Sequence, residues 1–427
     1  MSDGVALTQL EVPDYDLGIR GKLVRASKTH GDTNLAMCTI VYGLSVTDEV
    51  TDTQFSNADN GYPDARLVPD EGTRVELGWR PGTDAVIADL YDVDRRPVEM
   101  SPRYALQRVL DGYSDLELQP VLGFEYELWL FADGPGRTGA DRRPFGTTEN
   151  AYSVSRSAEV HTLTTEFINR MDSVGIIVEM FHSELGPGFF EFTLAPAPAL
   201  QAADNAVRAR QYLRDLCAER GLHASFMAKP FADRSGAGGH VHSSLNRAGA
   251  NIFCEKPGQL SQEAQHYLAG LLAGMADTTV MLNPYVNSYK RIDPEMFTPA
   301  AASWGDDDRS TACRTILDDL SGARVEHRRP GADASPYLVA AALLAAGLHG
   351  LREQTALARP REHVGTVPAD LHSAVTAFEE SAWLPELLGK SFCASYAATR
   401  RAEARRFDSW LRQTITSWEL TRHLEHQ

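Results

Sequence analysis

The segment Gly123–Phe131 reads GFEYELWLF, and it limits the fold more sharply than any other stretch of the chain. Side chains alternate along a strand, so Glu125 and Glu127 project together with Trp129 and Phe131, while Phe124, Tyr126 and Leu128 face the other way. Two carboxylates side by side in an apolar strand repel each other unless something positive lies between them. A solvated strand face is the ordinary explanation for such acids. Trp129 and Phe131 on the same face argue instead for a functional site. The chain must therefore fold so that cationic groups arrive opposite this strand.

Two later segments share the design. Gly239–Leu245 (GHVHSSL) places His240, His242 and Ser244 on one face, after Phe226–Gly238 (FMAKPFADRSGAG), whose glycine-rich end admits close approach of a ligand to backbone. Ala323–Arg329 (ARVEHRR) places Arg324, Glu326 and Arg328 on one face, which alone would pass for an exposed charged strand. Glu184 and Glu191 bracket Leu185–Phe190 (LGPGFF), whose Pro-Gly turn can return both acids to one place. Asn287–Arg291 and Asp308–Arg314 add Arg291, Arg309 and Arg314. Carboxylates with an imidazole suit Mg²⁺ or Mn²⁺ better than zinc. Metal ions beside arginines are what phosphoryl transfer needs. No P-loop takes that role, since Leu384 stands where the first glycine before Gly389–Lys390–Ser391 is required. Neither HExxH nor GxSxG occurs.

Around these segments the pattern is α+β. Met37–Val46 and Ala85–Tyr91 read as strands separated by the loop Ser56–Pro63, and Ser101–Pro102 reads as an N-cap and first helical position running to about Leu110. Longer helices are expected at Val160–Val174, Ala199–Glu219, Gln262–Met275, Tyr337–Leu351 and a C-terminal helix ending at Trp418–His423. The expected division is a small, mostly-β domain over residues 1–112 and a large α+β domain over 113–427. A net charge of −17 disfavours nucleic acid or anionic membrane as partner while leaving room for a local basic pocket. Five scattered cysteines without CxxC spacing argue against a disulfide framework or structural zinc. The opening residues lack a signal-peptide pattern, and the most apolar run, Tyr337–Leu348, is too short to span a bilayer, so a soluble cytoplasmic protein is expected.

Taken in order, the blocks Gly123–Phe131, Glu184–Glu191, Phe226–Leu245, Asn283–Pro299, Arg309–Arg314 and Arg324–Leu348 resemble the glutamine synthetase superfamily. The resemblance implies a β-grasp N-terminal domain and a funnel-shaped catalytic domain of antiparallel strands. It also implies a ring-shaped homo-oligomer, a dodecamer, with active sites completed by a neighbouring subunit. It implies ATP and two to three Mg²⁺ or Mn²⁺ ions per site. On that basis Glu127, Glu184 and Glu191 would hold the first ion, and Glu125, His240 and Glu326 the second. Arg309, Arg314 and Arg324 would line the nucleotide phosphates, with His242 and Ser244 on the nucleotide side. Arg291 and Arg328 would bind the carboxylates of L-glutamate and the transferred phosphoryl group, and Ser235 and Gly236 would lie beside the amino acid. Arg291, Arg309, Arg328 and Tyr152 would take catalytic positions, Tyr152 matching a tyrosine of the family's ammonium pocket.

The departures from the family pattern bear on the nucleophile. After Tyr289–Lys290–Arg291 the family carries a glutamate that takes a proton from ammonium, and Phe297 stands in its place. Glu295 reaches that place only if the loop shifts by two residues. Gly188–Phe189–Phe190–Glu191 replaces Gly-Gln-x-Glu, Ser235 replaces an asparagine, and the Asp-Gly-Ser-Ser motif is absent, leaving Asp59 or Asp64 in its region. These changes, and the ending Thr416–His423, resemble the γ-glutamyl-amide branch. Phe189, Phe190, Met296 and Phe297, with Tyr152 and Asp64, would form an amine pocket with an apolar wall suited to a small alkylamine or an arylamine. The alternatives are a true glutamine synthetase with a displaced base and a catalytically silent regulatory homologue.

Overall fold

The early apolar runs build a six-stranded sheet in the computed structural model, which describes residues 5–16, 18–29, 34–133 and 142–424. Part of the segment read for a signal peptide, residues 1–4, lies outside those described. The strands are β1 (Leu7–Pro13), β2 (Ile19–Arg25), β3 (Ala36–Cys38), β4 (Asp64–Pro69), β5 (Val75–Glu76) and β6 (Thr83–Tyr91). They lie in the order β2-β1-β6-β4-β3, with β5 also on β6; β1 and β6 run parallel and the other pairs antiparallel. This is the expected β-grasp sheet. Only Ala36–Cys38 of the run Met37–Val46 neighbourhood is strand, however, and Thr39–Gly43 forms a 3₁₀ turn. Val41, Tyr42 and Gly43 are buried in succession, which a tight turn allows and a two-faced edge strand does not.

Helix α1 (Pro102–Ser114) follows, capped by Ser101, whose Oγ accepts from the Tyr104 amide. It continues a turn past Leu110 because Val109, Gly112 and Tyr113 all bury against the core.

A ten-stranded sheet carries the rest. Its strands are β7 (Gln119–Phe131), β8 (Val178–Ser183), β9 (Phe189–Leu194), β10 (Ala197–Pro198), β11 (His223–Ser225), β12 (Gly239–Arg247) and β13 (Ala250–Asn251). After the hairpin β14 (Cys254–Lys256) and β15 (Gln259–Leu260) come β16 (Trp304–Asp306), β17 (Cys313–Ile316) and β18 (Arg324–His327). The order is β16-β17-β18-β12-β7-β9-β8, all antiparallel except β16 with β17. The helices are α2 (Val154–Glu159), α3 (His161–Ser173), α4 (Ala199–Glu219), α5 (Gln262–Ala273), α6 (Met275–Leu282), α7 (Pro336–Arg352), α8 (Leu371–Glu380), α9 (Leu384–Leu388), α10 (Lys390–Gln413) and α11 (Ser417–His423). The expected helix 262–275 breaks at Gly274, and the expected C-terminal helix is two, because Thr416 starts α11 with a capping box to Glu419. Helix α7 is buried along almost its whole length, packed on α1, α4 and α5. Among the described residues no helix is long and apolar enough to cross a membrane.

Buried ion pairs tie the first sheet to the helices behind the second. Arg103, 1% exposed, donates to Asp204 of α4 (3.0 Å) and to Asp70 and Asp89 of the first sheet's segment (both 2.7 Å). Glu11 of β1 accepts from Arg208 and Tyr212 of α4 (both 2.7 Å), and Asp16 accepts from Arg400 of α10 (3.0 Å) and Tyr285 (2.6 Å).

Candidate active site

Strand register, rather than chain proximity, assembles the site. In β7 and β12, Glu125 lies opposite His240; in β12 and β18, His242 lies opposite Glu326. Glu127 faces Glu191 across β7 and β9, and His182 faces Glu191 across β8 and β9. Arg314 faces Glu326 across β17 and β18. Directly opposed side chains of paired strands stand about 5 Å apart at Cβ, so one row of charged groups runs from β17 to β8.

Two groups of ligand atoms emerge along that row. His240 Nδ1 lies 2.7 Å from Glu125 Oε1 and 3.7 Å from Glu326 Oε1. His182 Nε2 lies 3.3 Å from Glu191 Oε1 and 3.9 Å from Glu184 Oε1. In each group all three ligand atoms fall within 4.8 Å of one another. Glu125, His240 and Glu326 thus gather as expected for one ion. Glu184 and Glu191 also gather, but the third member among the described residues is His182, while Glu127 accepts from the Gly238 amide at 2.5 Å.

The electrostatics fit cation binding. Burial, followed by the charges of Glu125, Glu127 and Glu184, pushes the Glu191 carboxyl up to about 10. Glu184 is raised for the same reasons, burial first and then Glu127. Burial also acts against Glu125 and Glu326, but His240 and His242 hold Glu125 well below the usual carboxylate range, and His240 with Arg328 holds Glu326 down. On the β9 side of the row the carboxylates therefore repel one another when ionised, a repulsion that a divalent cation would relieve. A cation entering beside Glu191 must displace its proton. Mn²⁺ binding is accordingly expected to release protons and to tighten as pH rises. Titration calorimetry in buffers of different ionisation enthalpy reads this; a heat that does not depend on the buffer contradicts it.

The arginines surround the other end. Arg314 donates to Glu326 Oε2 (2.9 Å) and is also held by Asp307; Arg328 donates to Glu326 Oε1. Arg324 Nε donates to His242 Nδ1 (3.2 Å), and Ser244 follows half-buried on the same strand face. Arg291, 2% exposed, donates to the carbonyls of Arg329 (3.0 Å) and Arg328 (3.3 Å), and its Nη2 lies 3.3 Å from His240 Nε2. A Cβ at Gly236 would meet Arg291 Cγ at 2.5 Å, so glycine there is needed to let Arg291 in. Ser235 beside it is half-buried. Arg309 is exposed, close enough to Tyr152 to oppose the rise of its phenol pKa.

The turn between Glu184 and Glu191 is held by Arg156, a residue that the pattern of acids gave no reason to choose. Buried at 1% exposure, it donates to the carbonyls of Glu184 (2.7 Å), Gly186 (2.6 Å) and Phe189 (3.3 Å). Tyr152 lies edge-on to His182 at 5.1 Å between centroids, beside Glu184. Phe189, on the Glu191 face, stacks on Trp129 (4.6 Å), which meets Phe231 (4.9 Å), so an aromatic corner abuts the acids. Phe190 does not join the expected amine wall: adjacent strand residues point oppositely, and its ring is buried against Phe181 and under Arg156. Met296 and Phe297 are exposed, 38% and 61%, on a short 3₁₀ turn. Asp64 opens β4 and Asp59 precedes it, both exposed in the segment of the first sheet.

A row of carboxylates and imidazoles flanked by arginines, on an antiparallel sheet, has the groups that metal-assisted phosphoryl transfer requires. The glutamine synthetase catalytic-domain family matches residues 99–423. A glutamate–isopropylamine ligase of a Pseudomonas species is 32% identical over 98% of this chain and 94% of its own length. The γ-glutamylputrescine synthetase PuuA of Escherichia coli is 31% identical over 89% of this chain and 84% of its own. A solved structure of ligand-free GmaS superposes with a TM-score of 0.85 at 28% identity, covering 99% of this chain and 97% of that one. The chain belongs to the glutamine synthetase family, in its γ-glutamyl-amide branch, and is a carbon–nitrogen ligase.

Proposed function

We propose that this ligase activates the γ-carboxylate of L-glutamate with ATP and joins it to a small organic amine, apolar or aromatic, in preference to ammonium. The observation that carries the choice of amine is the loop Asp293–Pro299. Asp293 accepts from the Glu295 amide (3.0 Å) through its side chain and from the Thr298 amide (3.0 Å) through its carbonyl, and Phe297 sits in the left-handed region at φ 59°. Sliding this loop by two residues, so that Glu295 replaces Phe297, breaks both contacts. The reading of a displaced glutamate base is disfavoured for that reason. An aromatic ring cannot take a proton from ammonium, whereas an arylamine is already neutral at pH 7 and needs no such base. The relative named for isopropylamine also supports a small apolar nucleophile.

In this reading a γ-carboxylate oxygen of glutamate attacks the γ-phosphorus of ATP and ADP leaves. The amine nitrogen then attacks the acyl carbon, the C–O bond to phosphate breaks, and the departing phosphate takes up the proton that the nitrogen gives up. Bound Mg²⁺ or Mn²⁺, two or three per site, neutralises charge on the transferring phosphoryl group. Glu125, His240 and Glu326 hold one ion, and Glu184 and Glu191 another, with Glu127 beside it. Arg291 and Arg328 orient glutamate and the phosphoryl group, with Ser235 and Gly236 alongside the amino acid. Arg309, Arg314 and Arg324, with His242 and Ser244, face the nucleotide. Tyr152, Phe189, Met296 and Phe297 receive the amine. Asp59 or Asp64 of a neighbouring subunit completes the site in a ring-shaped oligomer, a dodecamer, and the enzyme works in the cytoplasm.

The test is phosphate release with ATP, L-glutamate and Mg²⁺ or Mn²⁺ across ammonium, methylamine, ethanolamine, isopropylamine, putrescine and aniline, with mass detection of the amide. Turnover with an organic amine at least about 100-fold above ammonium is expected, since an unassisted proton transfer forfeits roughly that factor. Strong turnover with ammonium refutes the reading. Phe297→Glu is expected to raise ammonium turnover about tenfold or more by restoring an anionic base. An unchanged rate in that variant would mean that the loop does not control the nucleophile.

A further inference from the structure

The cation site on β8 and β9 has a donor that the acids alone do not account for. We propose that His182 ligates the ion held by Glu184 and Glu191, and that its nitrogen makes this position prefer Mn²⁺ to Mg²⁺. The inference rests on the two-ion reading of the site given above.

Three observations carry it. His182 and Glu184 alternate on β8 and its following residue, so both side chains turn to the face where Glu191 arrives from β9. His182 Nε2 stands 3.3 Å from Glu191 Oε1 and 3.9 Å from Glu184 Oε1. Neighbouring ligands of an octahedral ion with bonds of about 2.1 Å stand about 3 Å apart, so these spacings already approximate a shared ion. Finally, the three ligand atoms that cluster here belong to His182, Glu184 and Glu191, whereas Glu127, whose Oε2 accepts from the Gly238 amide at 2.5 Å, is not among them. The His182 ring is oriented by packing, edge-on against Tyr152, since its Nδ1 is buried without a hydrogen-bond partner. Imidazole nitrogen binds manganese more readily than magnesium, which keeps to oxygen ligands and water. The Glu125–His240–Glu326 group has its own imidazole, so the two positions must be separated experimentally.

The experiment uses the full-length protein with Mn²⁺ as probe, read by electron paramagnetic resonance and by pulsed detection of ¹⁴N coupled to the bound ion. In His240→Gln, Mn²⁺ is expected to remain bound with ¹⁴N coupling, and adding His182→Gln is expected to abolish that coupling. His182→Gln alone is expected to weaken one class of Mn²⁺ sites by about tenfold or more while changing Mg²⁺ competition by less than about threefold. Bound Mn²⁺ without nitrogen coupling in His240→Gln overturns the proposal, as does failure of that variant to bind Mn²⁺ while its thermal melt matches the parent protein. If either variant melts early, Mn²⁺ coupling in the parent protein labelled with ¹⁵N-histidine decides instead: two coupled histidines support the ligation and one refutes it. A parent protein that binds no Mn²⁺ at all sinks the two-ion reading itself, whereas normal binding indifferent to His182 sinks only this inference.

Discussion

Glu125→Ala is expected to lower ATP-dependent turnover by on the order of 10³-fold, equivalent to about 4 kcal/mol of transition-state stabilisation. The carboxylate stands at the centre of the row: Oε1 meets His240 at 2.7 Å and Oε2 meets His242 at 3.4 Å. Removing it would take a negative ligand from the ion proposed there and also frees two imidazoles, one of which Arg324 holds from its other side at 3.2 Å. Charge stabilisation by a positioned cation is the largest contribution to phosphoryl transfer, so losing the position costs more than losing one hydrogen bond. Glu125→Gln keeps the shape and some hydrogen bonding but not the charge, and should lie close to the alanine variant if metal binding is the essential role. Single-turnover phosphate release, alongside a thermal melt to verify folding, makes the comparison. A loss below tenfold in a well-folded variant would contradict the placement of an ion at Glu125.

The second large effect concerns stability. Arg103→Ala is expected to cost about 3–5 kcal/mol, because it strands buried carboxylates without a counter-charge. Asp204 and Asp89 have side chains only 9% and 16% exposed. Burial already raises the Asp89 pKa despite the lowering effect of Arg103. Without the guanidinium, Asp89 should rise further and take up a proton in the folded state. A carboxyl whose folded pKa is raised favours folding at low pH and loses that contribution as pH rises through the folded value. The penalty of Arg103→Ala should therefore be largest at pH 8 and shrink toward pH 5. Urea midpoints at the two pH values test this, and Asp89→Asn with Asp204→Asn should recover part of the loss in the same background. A pH-independent penalty would indicate lost packing alone.

What could be seen in the sequence was what period-two alternation encodes. Glu125, Glu127, His240, His242 and Glu326 each emerge on the expected strand, with Arg328 one residue past the end of β18, since a single apolar run identifies both the strand and its functional face. Which strands pair, and in what register, depends on contacts between residues more than a hundred positions apart, such as Glu125 with His240, and local pattern is silent about them. His182 was missed for a narrower reason. The acids were read from Glu184 onward, as the start of a turn, although Phe181–His182–Ser183–Glu184 already alternates. Arg156 gave no signal at all, because its task is to satisfy backbone carbonyls that exist only once the turn has formed. Phe190 was misplaced by grouping neighbours that a strand must send to opposite faces. Val41 and Tyr42 misled in the opposite way: an apolar run of that length suits a strand or a buried turn equally, and burial of both decided for the turn.

The His240 imidazole touches both halves of the site, Nδ1 toward Glu125 and Glu326 and Nε2 toward Arg291. A cation held at Nδ1 would leave the ring proton on Nε2, where the ring could no longer accept from Arg291. The Arg291 guanidinium would then keep its contacts with the Arg328 and Arg329 carbonyls and lose the one with the ring. If the ion binds at His240 and the amino acid at Arg291, their occupancies would be coupled through one ring, and thermodynamics would make the coupling mutual: each ligand would change the affinity for the other by the same factor, commonly 5- to 150-fold. Glutamate added to the enzyme is then expected to change its affinity for manganese by the same factor as manganese changes its affinity for glutamate.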